Sequence, residues 1–438
     1  MKNLSLFQLA ILGLFLIFIL VGVLIFAGVL PGYRQTSTSE AVALAIWGTT
    51  PAAVLEPFFA KLNNDYQERF ILSYTEKAAA TFARDFVEAK ADGRAPDLLL
   101  LPSELGQAQR DRLVVWPASV MPLRQYRDTF VDAGELYLSE AGTTALPLVI
   151  DPLVLYYNKT LLNDLGLAAV PRTWTEFIDQ TARLTILDDR RNVLQSAIAL
   201  GETRNILHAK DILALLFLQA GNPIVSNVNG RAVSRLNENL GFPLKPAVAV
   251  LNFYTQFSDS GLANYGWNRS LPEARTAFLR GQLAFYLGYA SEYQGLKREN
   301  PHLQFDVALP PQTDNTGKVT LGRVFGLAAV AGGAKVNAAL GAAVVLAGRE
   351  ANQLLAQTLF LPPARRDLLA AGQADPTLAV FYPAAVVSRA WPDPDPDASK
   401  QIFATMIESV VTGRQNSAEA VAEANTALGA LLVQKNGE

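Results

Sequence analysis

The stretch LPLVIDPLVLYYNK, residues 146–159, contains two apolar runs that are separated by a single Asp-Pro step. Residues 146–150 and 153–157 both have the composition of buried strands. An aspartate before a proline favours a turned or extended backbone, so we predict a hinge at Asp151-Pro152. Such a hinge is typical of a chain that crosses from one lobe to another.

Strands and helices alternate on the N-terminal side of this hinge. Predicted strands cover residues 41–47, 70–74 and 96–101, and predicted helices follow the first two of them. On the C-terminal side, helices are predicted over 209–220, 246–260 and 272–282, a strand over 283–288, a second crossing over 305–310 and a further strand over 325–330. This alternation predicts an α/β protein with a parallel sheet that is covered on both faces.

The chain has 438 residues, which is more than one hydrophobic core usually serves. We therefore predict two lobes with a cleft between them. The first lobe is assigned residues 35–150 with a return segment over 306–360, and the second lobe residues 151–305. Residues 361–438 are assigned mainly to the second lobe as C-terminal helices.

Composition excludes several functions. The formal charge of −3 comes from 37 basic and 40 acidic residues that are spread along the chain, so no nucleic-acid partner is expected. Because there is no cysteine, thiolate metal sites and cysteine nucleophiles are impossible. The two histidines, His208 and His302, lie far apart and are interpreted as incidental surface or packing residues. No metal site, cofactor or catalytic group is predicted.

Every residue from 9 to 30 is apolar or glycine. As a helix, this segment would be about 33 Å long, enough to span the hydrocarbon core of a membrane. We predict an uncleaved, single-pass anchor within residues 1–34, a polar tether that continues to residue 40, and a soluble body on the extracytoplasmic side. The alternative is a cleaved signal peptide, whose apolar region is normally shorter.

Six segments in order resemble the extracellular solute-binding proteins of ABC importers, in the sugar-binding branch that includes the maltose-binding proteins. They are 93–97 (GRAPD), 146–159, 171–177 (PRTWTEF), 277–285 (AFLRGQLAF), 307–310 (VALP) and 412–415 (TGRQ). The resemblance covers nearly all of residues 41–434. It implies the periplasmic-binding-protein-like fold, in which two α/β lobes close on a ligand, and a permease as partner.

Sugar recognition needs aromatic faces for C–H surfaces and polar groups for hydroxyls. Ligands of open α/β sheets bind beyond the carboxyl ends of the strands. Candidate ligand contacts of the first lobe are therefore Trp47, Thr49, Thr50, Glu76 and Glu104. A tryptophan that the resemblance implies near Glu104 is absent, which argues against a maltodextrin ligand.

The resemblance adds Asp151 as the hinge carboxylate, and it places an aromatic platform at Tyr286 and Tyr289 at the end of a second-lobe strand. Trp267 and Trp391 are candidates because they lie in predicted loops, where an exposed aromatic favours binding over packing. Arg323 is interpreted as a surface charge that could also face an anionic group.

Three alternatives stay open at this point. The solute could be something other than a sugar, the protein could signal rather than import, or it could be a carbohydrate-active enzyme. An enzyme would need two carboxyl groups at a fixed separation, and the sequence singles out no such pair. The sequence names neither the solute nor the permease.

Overall fold

The computed structural model describes residues 18–19, 41–167, 169–314 and 317–437. The predicted membrane anchor at 9–30 lies outside these residues, apart from Phe18 and Ile19. Within the described part of the chain, no helix combines the length and the apolar character needed to cross a bilayer.

The chain up to the hinge builds most of the first lobe. Its strands are β1 (Val42–Gly48), β2 (Phe70–Glu76), β3 (Leu98–Pro102), β4 (Trp116–Pro117), β5 (Leu138–Ser139), β6 (Gly142–Thr143) and β7 (Leu146–Asn158). Its helices are α1 (Ala52–Asp65), α2 (Phe82–Ala91), α3 (Ser103–Gln107) and α4 (Leu123–Thr129).

Further helices and strands follow in the next segment, up to residue 314. Its helices are α5 (Lys159–Asp164), α6 (Trp174–Leu184), α7 (Ala209–Gln219), α8 (Pro246–Thr255), α9 (Ala274–Leu279) and α10 (Tyr293–Glu299). Its strands are β8 (Ile186–Leu187), β9 (Val193–Ile198), β10 (Val225–Val228), β11 (Arg231–Ser234), β12 (Leu283–Tyr289) and β13 (Phe305–Ala308).

The remaining chain returns to the first lobe and ends on the second. It contains β14 (Thr320–Ala329), α11 (Val336–Leu346), α12 (Arg349–Leu359), α13 (Arg366–Ala371), α14 (Pro376–Ala379), α15 (Tyr382–Val386), β15 (Ser388–Arg389), α16 (Pro396–Val411) and α17 (Ser417–Gly437). Helix α13 packs on α4, whereas α16 and α17 pack on α7, α8 and β11. The lobe boundaries given above remain predictions.

The main sheet runs through both lobes in the order β2-β1-β3-β14-β7-β12-β9-β8. Strand β1 pairs in parallel with β2 and β3, and β12 pairs in parallel with β9. Strand β14 is antiparallel to β3 and β7, and β7 is antiparallel to β12. Parallel pairs are therefore present in both parts of the sheet, and the antiparallel strand β7 joins the two parts.

Strand β7 carries the connection between the lobes. Residues 146–152 pair with β14, and residues 153–157 pair with β12. The two runs that were predicted to flank a turn are thus one continuous strand, and Asp151-Pro152 lies where the strand changes partners. Proline cannot donate a ladder hydrogen bond, which fits this position.

Helix α7 is apolar on almost all sides and is buried beneath its neighbours. Asp211 is its one buried charged residue and forms part of the candidate site. Nearby, Trp174 begins α6 after the N-cap residue Thr173, and its indole Nε1 donates a hydrogen bond to Gln219 Oε1 at 2.7 Å. Trp174 is buried and therefore packs within the fold.

Gly48 ends β1 and holds the turn that carries Thr49 and Thr50. A Cβ atom at Gly48 would lie 2.6 Å from the Leu100 carbonyl oxygen and 2.7 Å from the Tyr74 hydroxyl. The neighbouring strand leaves no room for this atom. The close approach of β1 to β3 therefore requires glycine at this position.

We expect Gly48→Ala to lower the free energy of unfolding by about 1–3 kcal/mol, because the added methyl overpacks the strand pair. Denaturant unfolding followed by circular dichroism measures the effect. The matched control is Gly341→Ala, in the exposed part of α11, where a Cβ meets nothing within 4 Å. That change should stabilise the helix by about 0.5–1 kcal/mol, and equal effects of both variants would contradict the argument.

Candidate functional site

Arg323 lies on β14 directly opposite Asp151 on β7, at the point where β7 passes between the lobes. Its Nε atom is 2.7 Å from Glu104 Oε1, and its Nη2 atom is 3.0 Å from Asp211 Oδ2. Glu104 belongs to α3 of the first lobe and Asp211 to α7 of the second. One guanidinium therefore contacts a carboxylate from each lobe.

The two contacts of Arg323 differ in geometry. The bond from Nη2 to Asp211 is a charge-assisted hydrogen bond. The Nε–H is not aligned with Glu104 for a hydrogen bond, so that contact is an ion pair at close range. The guanidinium carbon also lies 3.6 Å from the centroid of the Tyr289 ring, in the geometry of a cation–π contact.

Asp151 is buried at the centre of this hinge. Its two carboxylate oxygens accept hydrogen bonds from the Ser291 amide at 2.9 Å and the Ser291 hydroxyl at 2.7 Å. Burial raises the pKa of Asp151 to about 6, although Arg323 and the Ser291 bonds oppose the rise. The hinge carboxyl thus joins β7 to the segment that follows β12.

His208 lies at the start of α7 and is nearly buried. Its Nε2 is 2.8 Å from Glu292 Oε1, and its Nδ1 is 3.7 Å from Asp211 Oδ2. Burial opposes the charged ring, but the carboxylates of Asp211 and Glu292 outweigh it and raise the pKa of His208 to about 9. The imidazole is therefore a cation between two acidic groups at neutral pH.

The predicted aromatic platform is covered in this structure. Tyr286 is buried, stacks on Tyr156 with ring centroids 5.9 Å apart, and donates its hydroxyl to Glu292 Oε2 at 2.7 Å. Arg323 lies over the face of Tyr289, and the His208 ring meets Tyr289 edge-on at 5.1 Å. Neither tyrosine offers an open ring face to a ligand.

The remaining first-lobe candidates lie together at the carboxyl ends of β1 and β2. Trp47 is half-buried, and Lys77 Nζ is 3.9 Å from its ring centroid. Thr49 and Thr50 follow on the adjoining turn and are half-buried. Glu76 is exposed and accepts a hydrogen bond from the Ala52 amide at 2.8 Å, which caps the start of α1. The prediction that these residues share one edge agrees with the register of the two strands.

The expectation that Trp267 and Trp391 are exposed is wrong. Trp267 is 1% exposed, and its indole Nε1 donates to Asn205 Oδ1 at 3.1 Å. Trp391 is 7% exposed and stacks on Phe403 with ring centroids 6.0 Å apart. Both lie in loops along the chain, but the second lobe packs over both rings.

Sequence reasoning missed the charged groups that join the elements of this site. Arg323 was interpreted as a surface charge and His208 as incidental, while Asp211 and Ser291 were not candidates. One signal was available for Arg323, because it is the lone charge in the apolar strand β14. Asp211 is likewise the lone acid in the apolar helix α7. An isolated charge in a buried element requires a partner.

Residues 72–380, more than half of the chain, match a family described as bacterial extracellular solute-binding protein. No curated protein matches the chain. Among solved structures, the cyclic alpha-maltosyl-1,6-maltose binding protein from Arthrobacter globiformis has a TM-score of 0.74 at 16% identity, covering 91% of this chain and 100% of that one.

Two further structures are similar. The sugar-binding protein MalE from Xanthomonas citri has a TM-score of 0.70 at 17% identity, over 90% of this chain and 98% of that one. The GacH receptor of Streptomyces glaucescens has a TM-score of 0.66 at 19% identity, over 90% of this chain and 99% of that one. At such identities the likeness shows the fold, and the predicted two-lobed α/β architecture is confirmed.

We expect the imidazole signals of His208 to stay those of a doubly protonated ring through pH 7 and to change only near pH 9. The chain has two histidines, so His302→Asn identifies the His208 signals in a heteronuclear NMR titration. Because the pKa is raised in the folded state, the stability from this cation is complete below about pH 6.5 and is lost as the pH rises through about 9.

Glu292→Gln should bring the His208 transition to lower pH, since it removes the carboxylate at 2.8 Å. Glu299→Gln, at the far end of the same short helix, is the matched control and should leave it in place. A wild-type titration near pH 6.5 would show that Asp211 and Glu292 do not hold the ring as a cation.

Proposed function

The chain belongs to the bacterial extracellular solute-binding proteins, and from this premise we propose that it captures a sugar or oligosaccharide between its two lobes for an ABC importer. Solute that contacts both lobes stabilises the closed arrangement through its greater affinity for it. The closed protein then delivers the solute to the permease. The family itself places the body of the protein outside the cytoplasm.

The observation that carries the proposal is the internal pairing of charges around the hinge. Arg323 pairs with Glu104 and Asp211, and His208 pairs with Glu292. A solute with a fixed charge would have to displace one of these partners. A neutral solute with many hydroxyl groups can leave these ion pairs intact. Its hydroxyls can form hydrogen bonds with the remaining lone pairs and N–H groups of the paired side chains.

Titles of the similar structures support a sugar as the solute class. The Arthrobacter protein is named for a cyclic maltosyl-maltose, and the GacH receptor was solved in complex with acarbose. A neutral saccharide is also what the paired charges favour. The maltodextrin type stays disfavoured because no tryptophan stands beside Glu104.

In this proposal the first-lobe edge supplies the apolar contact. Trp47 offers an indole face to sugar C–H groups once the Lys77 side chain moves aside. Hydrogen bonds with the sugar hydroxyls come from Thr49, Thr50 and Glu76. Glu104 adds an acceptor at the hinge, and Asp151 could contribute only if its carboxylate were released from Ser291 and uncovered. Trp267 and Trp391 are left out because both are buried within the second lobe, and Tyr286 and Tyr289 would need to be uncovered.

The same geometry argues against catalysis. Asp151 has the raised pKa that a general acid needs, but both of its oxygens accept hydrogen bonds from Ser291 and the residue is 2% exposed. Glu104 is ion-paired with Arg323. A glycosidase needs an acid and a second carboxylate that both reach the scissile bond. We therefore propose a binding protein and no enzyme activity.

We also propose that residues 9–30 anchor the protein in the cytoplasmic membrane with the body outside. The length of the apolar run supports the anchor over a cleaved signal peptide. A tether that ends near residue 40 would keep capture close to the membrane, because a short flexible linker limits reach.

A saturating sugar ligand should raise the melting temperature of the full chain in detergent by a few degrees, since it binds the folded state alone; about 100 times Kd adds about 2.7 kcal/mol. A thermal-shift screen of mono- and oligosaccharides measures this, with amino acids, polyamines and ferric citrate as control solutes. Trp47→Ala should remove the shift, while Glu88→Gln on the exposed side of α2 should keep it. If only a control solute raises the melting temperature, the proposal that the solute is a sugar is wrong.

The full chain should stay in the membrane pellet after an alkaline carbonate wash, and removal of residues 1–34 should release it. Protease added to intact spheroplasts should digest the body. N-terminal sequencing of the mature protein distinguishes an uncleaved anchor from a cleaved signal peptide. A soluble product that begins beyond residue 30 would replace the anchor by a cleaved signal peptide.

A further inference from the structure

The ion pairs of Arg323 cross the boundary between the lobes, whereas most other short ion pairs near the cleft stay within one lobe. Lys210 with Asp393, for example, joins two elements of the second lobe at 2.7 Å. Arg323 instead holds Glu104 from α3 and Asp211 from α7 at 2.7 and 3.0 Å. We propose that Arg323 is an interlobe latch, which holds Glu104 and Asp211 together without a solute and thereby limits opening of the cleft.

The latch is partly shielded from water. Asp211 has a side-chain exposure of 10%, Glu104 of 22% and Arg323 of 30%. Interactions between charges are screened less when the groups are partly removed from solvent. Arginine also keeps its charge at every pH at which the protein folds. The Arg323 cation therefore lies within reach of both carboxylates and is incompletely screened by solvent.

Both carboxylates are held in place by their own lobes. Ser103 donates its hydroxyl to Glu104 Oε2 at 3.3 Å and accepts a hydrogen bond from the Val324 amide at 3.3 Å. His208 Nδ1 lies 3.7 Å from Asp211 Oδ2, the same oxygen that Arg323 contacts. Because these groups are already oriented, little side-chain freedom is lost when the latch forms.

Tyr289 is a second contact of Arg323 with the second lobe. The guanidinium covers the ring face at 3.6 Å, and the tyrosine is itself buried at the end of β12. Arg323 lies on β14, which is assigned to the first lobe together with Glu104. If the lobes separated, Arg323 would therefore keep Glu104 and give up its contacts with Asp211 and Tyr289.

The test measures the distance between lobes in the full chain without any solute. The chain has no cysteine, so Val87→Cys on α2 and Phe242→Cys before α8 can be spin-labelled without background. Both positions are exposed, at 41% and 58%. In a wild-type background we expect one narrow distance distribution in pulsed electron paramagnetic resonance. Asp211→Asn should raise the ratio of open to closed molecules by roughly tenfold, because it removes the ion pair between the lobes and keeps the shape.

The matched control is Glu299→Gln. Glu299 forms a two-bond ion pair with Arg275 at 2.7 and 2.9 Å, but both residues belong to the second lobe. This variant should leave the distance distribution unchanged. If Asp211→Asn also leaves it unchanged, or if wild-type protein is already open in most molecules, the latch does not exist.

Glu104→Gln and added salt provide two further measurements if Asp211→Asn folds poorly. Glu104→Gln should also widen the distribution, because Glu104 orients the guanidinium, and 1 M salt should open the wild-type protein while moving the Asp211→Asn variant little. A wild-type distribution that ignores salt would contradict an electrostatic latch. Since no solute is present, the outcome of these measurements does not depend on the outcome of the sugar screen.

Discussion

Strand β7 forms antiparallel ladders with β14 through its first half and with β12 through its second, and the two lobes exist as one molecule because of these ladders. Every residue of β7 except Tyr157 is buried. The backbone hydrogen bonds have no water to replace them, so the strand cannot leave either neighbour at low cost. The position of each lobe, and of every side chain at the hinge, is set relative to this strand.

The charged groups at the hinge follow from that constraint. Burying Arg323, Asp211 and His208 near one another is costly for each charge alone, and only their mutual neutralisation makes the arrangement stable. The sheet brings Arg323 opposite Asp151, and helix α7 brings Asp211 and His208 to the same point. The result is a polar region whose charges are already satisfied, which favours neutral, hydrogen-bonding solutes over ions.

Local patterns were sufficient for much of the fold. The apolar runs of β1, β3 and β7, the Thr173 cap of α6 and the apolar face of α1 each depend on neighbours in sequence, so periodicity and turn chemistry predict them. The predicted hinge at Asp151-Pro152 lies where one strand changes partners, and its role as a hinge stays a prediction. Partner choice is a tertiary property, which explains why the contacts of Arg323 with Glu104 and Asp211 were not predicted. The burial of Trp267 and Trp391 was missed for the same reason, since a loop along the chain can still be covered by elements distant in sequence.

The sheet that runs unbroken through both lobes has a mechanical consequence. A protein whose halves are joined by flexible loops moves as a free joint, with little resistance until the loops are taut. Here β7 passes through the joint without a break and is paired with β14 on one side and with β12 on the other, so separating the lobes means changing the twist of hydrogen-bonded strands. Resistance to such a change rises with every degree of rotation, and the joint behaves as a spring. The opening angle is then a compromise between elastic strain and contacts at the cleft, which lets a few side chains set the resting shape of the whole molecule.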